Sequence, residues 1–159
     1  MKEILELLES DARLTAGQIA TMLGRDEEEV ARIIKEAEEK KLIQGYFTLV
    51  DWDKFGSEKV SAMIEVKISP QRDVGFDAVA ERIYRFPEVR SVRLMSGAYD
   101  LMVMIEGGTM KEVAHFVSFK LASMEYVLST ATHFVLKTYK HHGVIIDDEE
   151  EDRRQVIVP

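Results

Sequence analysis

The sequence predicts an α+β chain in two parts, an N-terminal winged helix-turn-helix unit followed by a ferredoxin-like βαββαβ domain. Three observations predict it. Two capped helices lie close together around Gly24, and hydrophobic spacing switches from the helical period to the strand period after Lys59. The later elements then run strand, helix, strand, strand, helix, strand, the split βαβ order that places both helices on one side of an antiparallel sheet.

In chain order, Ile4, Leu5 and Leu8 face one side of a first amphipathic helix over residues 2–10, with Lys2, Glu3, Glu6 and Glu9 largely opposite. Thr15-Ala16-Gly17-Gln18 has the T-x-x-Q form of a capping box, so a second helix starts near Ala16 and presents Ile19, Met22 and Leu23 on one face. Gly24 ends it by accepting a left-handed conformation. Asp26, with Glu29 three residues on, caps a third helix whose Val30, Ile33, Ile34 and Ala37 form an i, i+3, i+4, i+7 stripe. Helices two and three make a helix-turn-helix, and the second of them is shaped to be presented. Leu42 to Val50 is β-rich around Gly45, suited to a short wing or to a strand shared with a partner chain, and Asp51 to Gly56 reads as a linker turn.

From Val60 the period is two, with Ala62, Ile64, Val66 and Ile68 alternating against Ser61, Met63, Glu65 and Lys67, until Ser69-Pro70 stops the strand. Phe76, Val79, Ala80 and Ile83 define a helix, Val89 to Met95 a second strand and Asp100 to Glu106 a third, with the turn at Gly97-Ala98-Tyr99 between them. Met110, Val113, Ala114, Val117, Leu121 and Met124 define one long helix, and a last strand is expected from Val127 to Tyr139. The domain boundaries follow: residues 1–56 for the helix-turn-helix with its linker, 57–143 for the ferredoxin-like domain and 144–159 for an acidic tail.

The helices cover one sheet face only. The other carries Met63, Met102 and Met104, with Met95 beside them, and a sheet apolar on both sides in so small a domain calls for a partner, a role methionine suits by adapting to an imperfect surface.

The order of helix-turn-helix, Lys41-Leu42-Ile43-Gln44-Gly45-Tyr46, Val50-Asp51 and Phe55-Gly56 resembles the N-terminal domain of the Lrp/AsnC transcription regulators, the feast/famine regulatory proteins. Ser96-Gly97-Ala98-Tyr99-Asp100-Leu101 resembles that family's ligand-domain signature. The matches span roughly residues 2–140. The resemblance implies a DNA-binding regulator that dimerises through facing sheets, assembles further into octamers, and binds small amino-acid effectors at a subunit interface. It places Gly97, Tyr99 and Asp100 at that effector site, with the carboxylate suited to an α-amino group. Ser129, Thr130 and Thr132 offer hydroxyls from the last strand, although all three are also ordinary strand residues.

For DNA, the candidates are Arg25, Glu28, Arg32 and Lys35 on the third helix or its approach, with Lys40 and Lys41 near the wing. Its first turn, Asp26-Glu27-Glu28-Glu29, suits the positive end of the helix dipole but faces phosphates with like charge, a departure from the family's Ser, Thr and basic residues. The net charge of −8 excludes bulk coating of nucleic acid, so contacts with double-stranded DNA must be local. The alternative reading is an oligomeric ligand-binding protein whose helix-turn-helix no longer binds DNA.

There is no cysteine, which excludes disulfides and thiolate metal sites and is compatible with the cytoplasm. No apolar run approaches the roughly 18 residues of a membrane span. His141-His142, His115 and His133 lack metal-ligand spacing, and no nucleophile–base pair, phosphate-binding loop or cofactor fingerprint is present. Neither a cofactor nor catalysis is expected.

Overall fold

The computed structural model describes residues 1–57, 59–69 and 75–146, and the chain divides into two compact units between Val50 and Asp51. Pro70 and the acidic run from Asp147 to Asp152 lie outside the described residues.

Unit one holds α1 (Lys2–Ser10), α2 (Ala16–Leu23) and α3 (Glu27–Glu39). Their apolar faces meet in a small core of Ile4, Leu8, Ile19, Ala20 and Val30, closed by Leu14, Leu23, Ile33 and Ile34. Met22 departs from the expected face: it is 60% exposed, and Leu23 takes the inward position. The stretch Gln44 to Val50 forms neither a wing hairpin nor any other strand within one chain. A strand needs a hydrogen-bonded neighbour, and residues 1–50 contain no other extended segment to supply one. Tyr46, Phe47, Leu49 and Val50 are left exposed.

Unit two opens with one helical turn, α4 (Trp52–Phe55), where a plain linker turn was expected; the Asp51 carboxylate caps it by accepting from Lys54 N–H at 2.9 Å. The remaining elements are β1 (Val60–Ile68), α5 (Phe76–Tyr84), β2 (Val89–Leu94), β3 (Leu101–Gly107), α6 (Met110–Phe116), β4 (Val127–Phe134), β5 (Lys140–His141) and β6 (Val144–Ile145). Four of the strands form an antiparallel sheet in the order β2-β3-β1-β4, the ferredoxin-like arrangement. One face, with Ala62, Ile64, Val66, Leu101, Val103 and Ile105, is buried beneath Val79, Ile83, Val113, Phe116 and Leu121 of the helical layer.

Two expectations are corrected here. The long helix is not uniform: after Phe116 it widens into a π-helical turn over Val117–Leu121, where Ala122 N–H reaches back five residues to Val117 C=O at 2.7 Å. The buried stripe is therefore Val113, Phe116, Val117 and Leu121, while Met110 and Ala114 are exposed. The last strand ends at Phe134, short of Tyr139. Phe134 pairs with Ala62 and Val135 N–H makes one further bond to Ser61 C=O, next to the start of β1 at Val60. The chain instead turns at His142-Gly143, both at positive φ, and closes a small β5–β6 hairpin.

On the opposite face the register sets Met63 beside Met104 and Glu65 beside Met102. Met63 and Met95 are exposed, Met102 and Met104 half-buried, and polar pairs flank them: Arg90 with Glu106 at 2.8 Å and His133 with Glu65 at 3.3 Å.

Candidate DNA and effector sites

The helix-turn-helix is held by its own side chains. Thr15 and Gln18 complete a reciprocal capping box, with Gln18 N–H to Thr15 Oγ1 at 3.2 Å and Thr15 N–H to Gln18 Oε1 at 2.9 Å. Gly24 sits at φ +63°, and the Asp26 carboxylate receives Glu29 N–H at 3.0 Å. This fixes where α3 begins and which of its side chains point outward.

The cations on that face are mostly engaged. Arg25 donates to Glu3 of α1 at 2.9 Å and lies 4.0 Å from Glu29, Lys35 lies 3.9 Å from Glu39, and Lys40 pairs with Glu36. The Lys40 partnership holds the Glu36 carboxyl below its ordinary range. Exposed pairs of this kind are weak because water screens them, so an arriving phosphate can displace the acid at little cost. Arg32 makes no ion pair within 4 Å among the described residues, and Glu28 stands exposed one turn before it.

Lys41 occupies an unusual backbone position. The end of α3 is a Schellman motif, with Lys41 N–H to Glu38 C=O at 2.9 Å and Leu42 N–H to Ala37 C=O at 2.8 Å, and Lys41 takes the left-handed place at φ +53° where glycine is favoured. Tyr46 then ties the following segment back to α3 by donating its hydroxyl to Glu38 at 2.9 Å; burial, then that hydrogen bond to Glu38, pushes the phenol's pKa up. Replacing Lys41 with Gly should stabilise unit one by about 1 kcal/mol. If Lys41 holds a phosphate, the same change should flatten the salt dependence of DNA binding by about one counterion. Thermal melts and salt titrations check both halves; an unchanged salt slope would remove Lys41 from the DNA contact.

At the other candidate site, the Gly97-Ala98-Tyr99 turn delivers Asp100 to the start of β3. Its carboxylate Oδ2 accepts Ile68 N–H at 2.8 Å, Asp100 N–H bonds Val66 C=O at 3.0 Å, and Met95 N–H bonds Asp100 C=O at 2.8 Å. Asp100 thus fastens β2, β3 and the end of β1 together. The nearby Ser69 N–H bonds the carbonyl of Tyr126, a residue at φ +74° that no sequence motif marks. The three hydroxyl candidates do not share a face. Ser129 pairs with Lys67 on the open side, whereas Thr130 and Thr132 pair with Val66 and Ile64 on the helix side.

The model of the Lrp/AsnC ligand-binding domain matches residues 61–145, the sheet and helices just described, and a winged helix-turn-helix DNA-binding model matches residues 1–44. The chain belongs to the Lrp/AsnC family. Among curated relatives, the uncharacterized HTH-type transcriptional regulator YugG of Bacillus subtilis is 51% identical over 99% of this chain and 95% of its own length. The regulator LrpA of Pyrococcus horikoshii is 31% identical over 87% of this chain and 96% of its own. A solved structure, that of a transcriptional regulator of Neisseria meningitidis in complex with L-methionine, superposes with a TM-score of 0.72 at 26% identity, covering 87% of this chain and 89% of that one. As an Lrp/AsnC protein the chain is a helix-turn-helix transcriptional regulator with DNA as its partner. Among the described residues, no helix is long and apolar enough to cross a membrane, and no cluster of three His, Asp or Glu is placed to hold a metal.

Proposed function

We propose that this regulator works in the cytoplasm as a homodimer that assembles further, and that an amino acid bound at the Gly97–Asp100 turn adjusts its hold on DNA; we read it as a regulator and not an enzyme. On this reading residues 1–56 are the DNA-binding module and linker, and residues 57–143 bind effector and assemble. Arg32 and Lys35 supply the main contacts of α3, with Arg25, Lys40 and Lys41 on flanking phosphates and Glu28 restraining affinity. Met63, Met95, Met102 and Met104 face their copies across the dimer, and Gln44 to Val50 finds in the partner the strand neighbour it lacks at home.

The observation that carries the effector assignment is the Asp100 carboxylate. Oδ2 is fixed by Ile68 N–H, while Oδ1 accepts no bond from a described residue and is available to an ammonium group. Tyr99 lies beside it to shape a side-chain pocket; Ser129 reaches it only from the open face, and Thr130 and Thr132 only from the helix side. That a relative was solved with L-methionine supports the same ligand class. Calorimetry with the twenty amino acids tests it, comparing the parent with Asp100→Asn, which keeps an oxygen for Ile68 N–H but loses the charge. A charge-assisted bond is worth about 1.5–3 kcal/mol, so affinity should fall roughly 10- to 150-fold. Parental affinity in Asp100→Asn would remove Asp100 from the site, and the absence of any amino-acid binding by the parent would overturn the effector class.

A further inference from the structure

Of the acids that open α3, all but one are engaged locally. Asp26 caps the helix by accepting Glu29 N–H, and the Glu27 carboxylate lies against Gly17 of α2, 3.1 Å from where a Cβ on that glycine would stand. Glu29 lies 4.0 Å from the Arg25 guanidinium. Glu28 is exposed and makes no hydrogen bond or ion pair among the described residues.

One turn further on stands Arg32, equally exposed and equally free of an ion pair among the described residues. Elsewhere along this helix and its approach, opposite charges four residues apart lie close: Arg25 with Glu29, Lys35 with Glu39 and Glu36 with Lys40. Glu28 and Arg32 have the same spacing, with the acid on the N-terminal side, the order that favours pairing on a helix. They nonetheless stay apart, and Lys40 has taken the carboxylate of Glu36, the other acid one turn from Arg32. The two side chains therefore keep complementary capacities whole, acceptor-only on Glu28 and a planar fork of donors on Arg32.

Both lie in the first half of α3, Glu27–Glu39, the half of a recognition helix that meets base edges in the major groove. Ala31 between them is exposed and short, so nothing on that side holds the helix off the groove floor. Four residues of helix rise about 6 Å, a little under two base-pair steps of about 3.4 Å.

We infer that Glu28 and Arg32 are the base-reading pair of α3. Arg32 donates both arms of its guanidinium to guanine O6 and N7, and Glu28 accepts from cytosine N4 about one or two base pairs away. The inference deepens the proposed DNA contact of α3 and rests on it. Near phosphates the Glu28 charge lowers affinity for every sequence, whereas the bond to cytosine N4 forms only where that base is present. The acid thereby turns a general repulsion into discrimination. Its other contribution, a favourable place at the positive end of the helix dipole, is indifferent to DNA sequence, so base preference separates the two roles.

Selection of randomised double-stranded DNA by the full-length protein, at one fixed salt concentration, reads that preference pair by pair. The parent should select two G·C pairs about one or two steps apart, and replacing either should weaken binding about 5- to 150-fold. Glutamine reads adenine through N6 and N7, so Arg32→Gln should move one of these pairs to A·T and Glu28→Gln the other. Glu28→Ala should leave its pair without preference and tighten binding to DNA that lacks it. Both positions are exposed, and Gln and Ala are good helix formers, so circular dichroism of the variants should match the parent's. The inference is overturned if Glu28→Ala keeps both preferences, or if Arg32→Gln weakens every sequence alike, the mark of a phosphate contact. If the substitutions alter binding to no sequence at all, the outer face of α3 is not the DNA contact, and the reading beneath the inference falls with it.

Discussion

Substituting lysine for both Met102 and Met104 should convert the protein to monomers of 18.2 kDa. Within one chain the change is mild: Met102 lies opposite Glu65 and Met104 stands two residues before Glu106 on the same face, so each new ammonium has an acid in reach. Across the proposed two-fold interface the same residues would meet their own copies, and a dimer would have to bury unmatched positive charge or come apart. Even about 4 kcal/mol of penalty weakens association roughly a thousandfold. Sedimentation or light scattering at micromolar concentration reads the result directly. A dimer mass that survives both substitutions would show that the methionine face is not the interface.

Ile19→Ala should have an effect as large, confined to the other half of the chain. Ile19 is fully buried, and only four other residues of unit one, Ile4, Leu8, Ala20 and Val30, share its cluster of buried side chains. Truncating such a side chain costs about 2–5 kcal/mol, comparable to the whole stability of a three-helix unit of this size. Helical circular dichroism from α1 to α3 and DNA binding should disappear together. The sheet domain has its own core, with no residue in common, and its assembly should persist. If sedimentation shows the assembly lost along with DNA binding, the two units fold as one and this separation is wrong.

The part of the fold readable from the chain alone is the part written in local sequence. Thr15 with Gln18, Gly24 and Asp26 act within one helical turn of themselves, so the helix-turn-helix was legible residue by residue. The alternation of Ala62, Ile64, Val66 and Ile68 likewise declares a strand with one buried face. The misreadings share a different cause. The end of β4 is set by where its partner β1 begins, not by any residue near Phe134. Gln44 to Val50 has strand composition but no strand neighbour among the described residues. Glu88 and Lys120, like Ile68 and Asp100, are 32 residues apart, and nothing in the spacing of either pair announces the contact. The candidate sites were legible only in part for the same reason. Asp100 stands out in its turn, but the bond that fixes one of its oxygens and leaves the other open belongs to the folded sheet.

The strand order also bears on how the chain is made. In β2-β3-β1-β4 the first strand to leave the ribosome is an inner one, and the last to leave is its neighbour. Until Val127 to Phe134 have been synthesised, β1 has a bare edge along Ala62 to Ile68. The helix-turn-helix, built from contacts close in sequence, has no such wait. Translation therefore passes through a stage in which a finished N-terminal unit is tethered to a three-stranded intermediate with an open edge and a methionine-bearing face, a species prone to pair with another nascent chain. Early termination between Gly107 and Val127 would release that species, and addition of β4 is the step that ends the exposure of the edge.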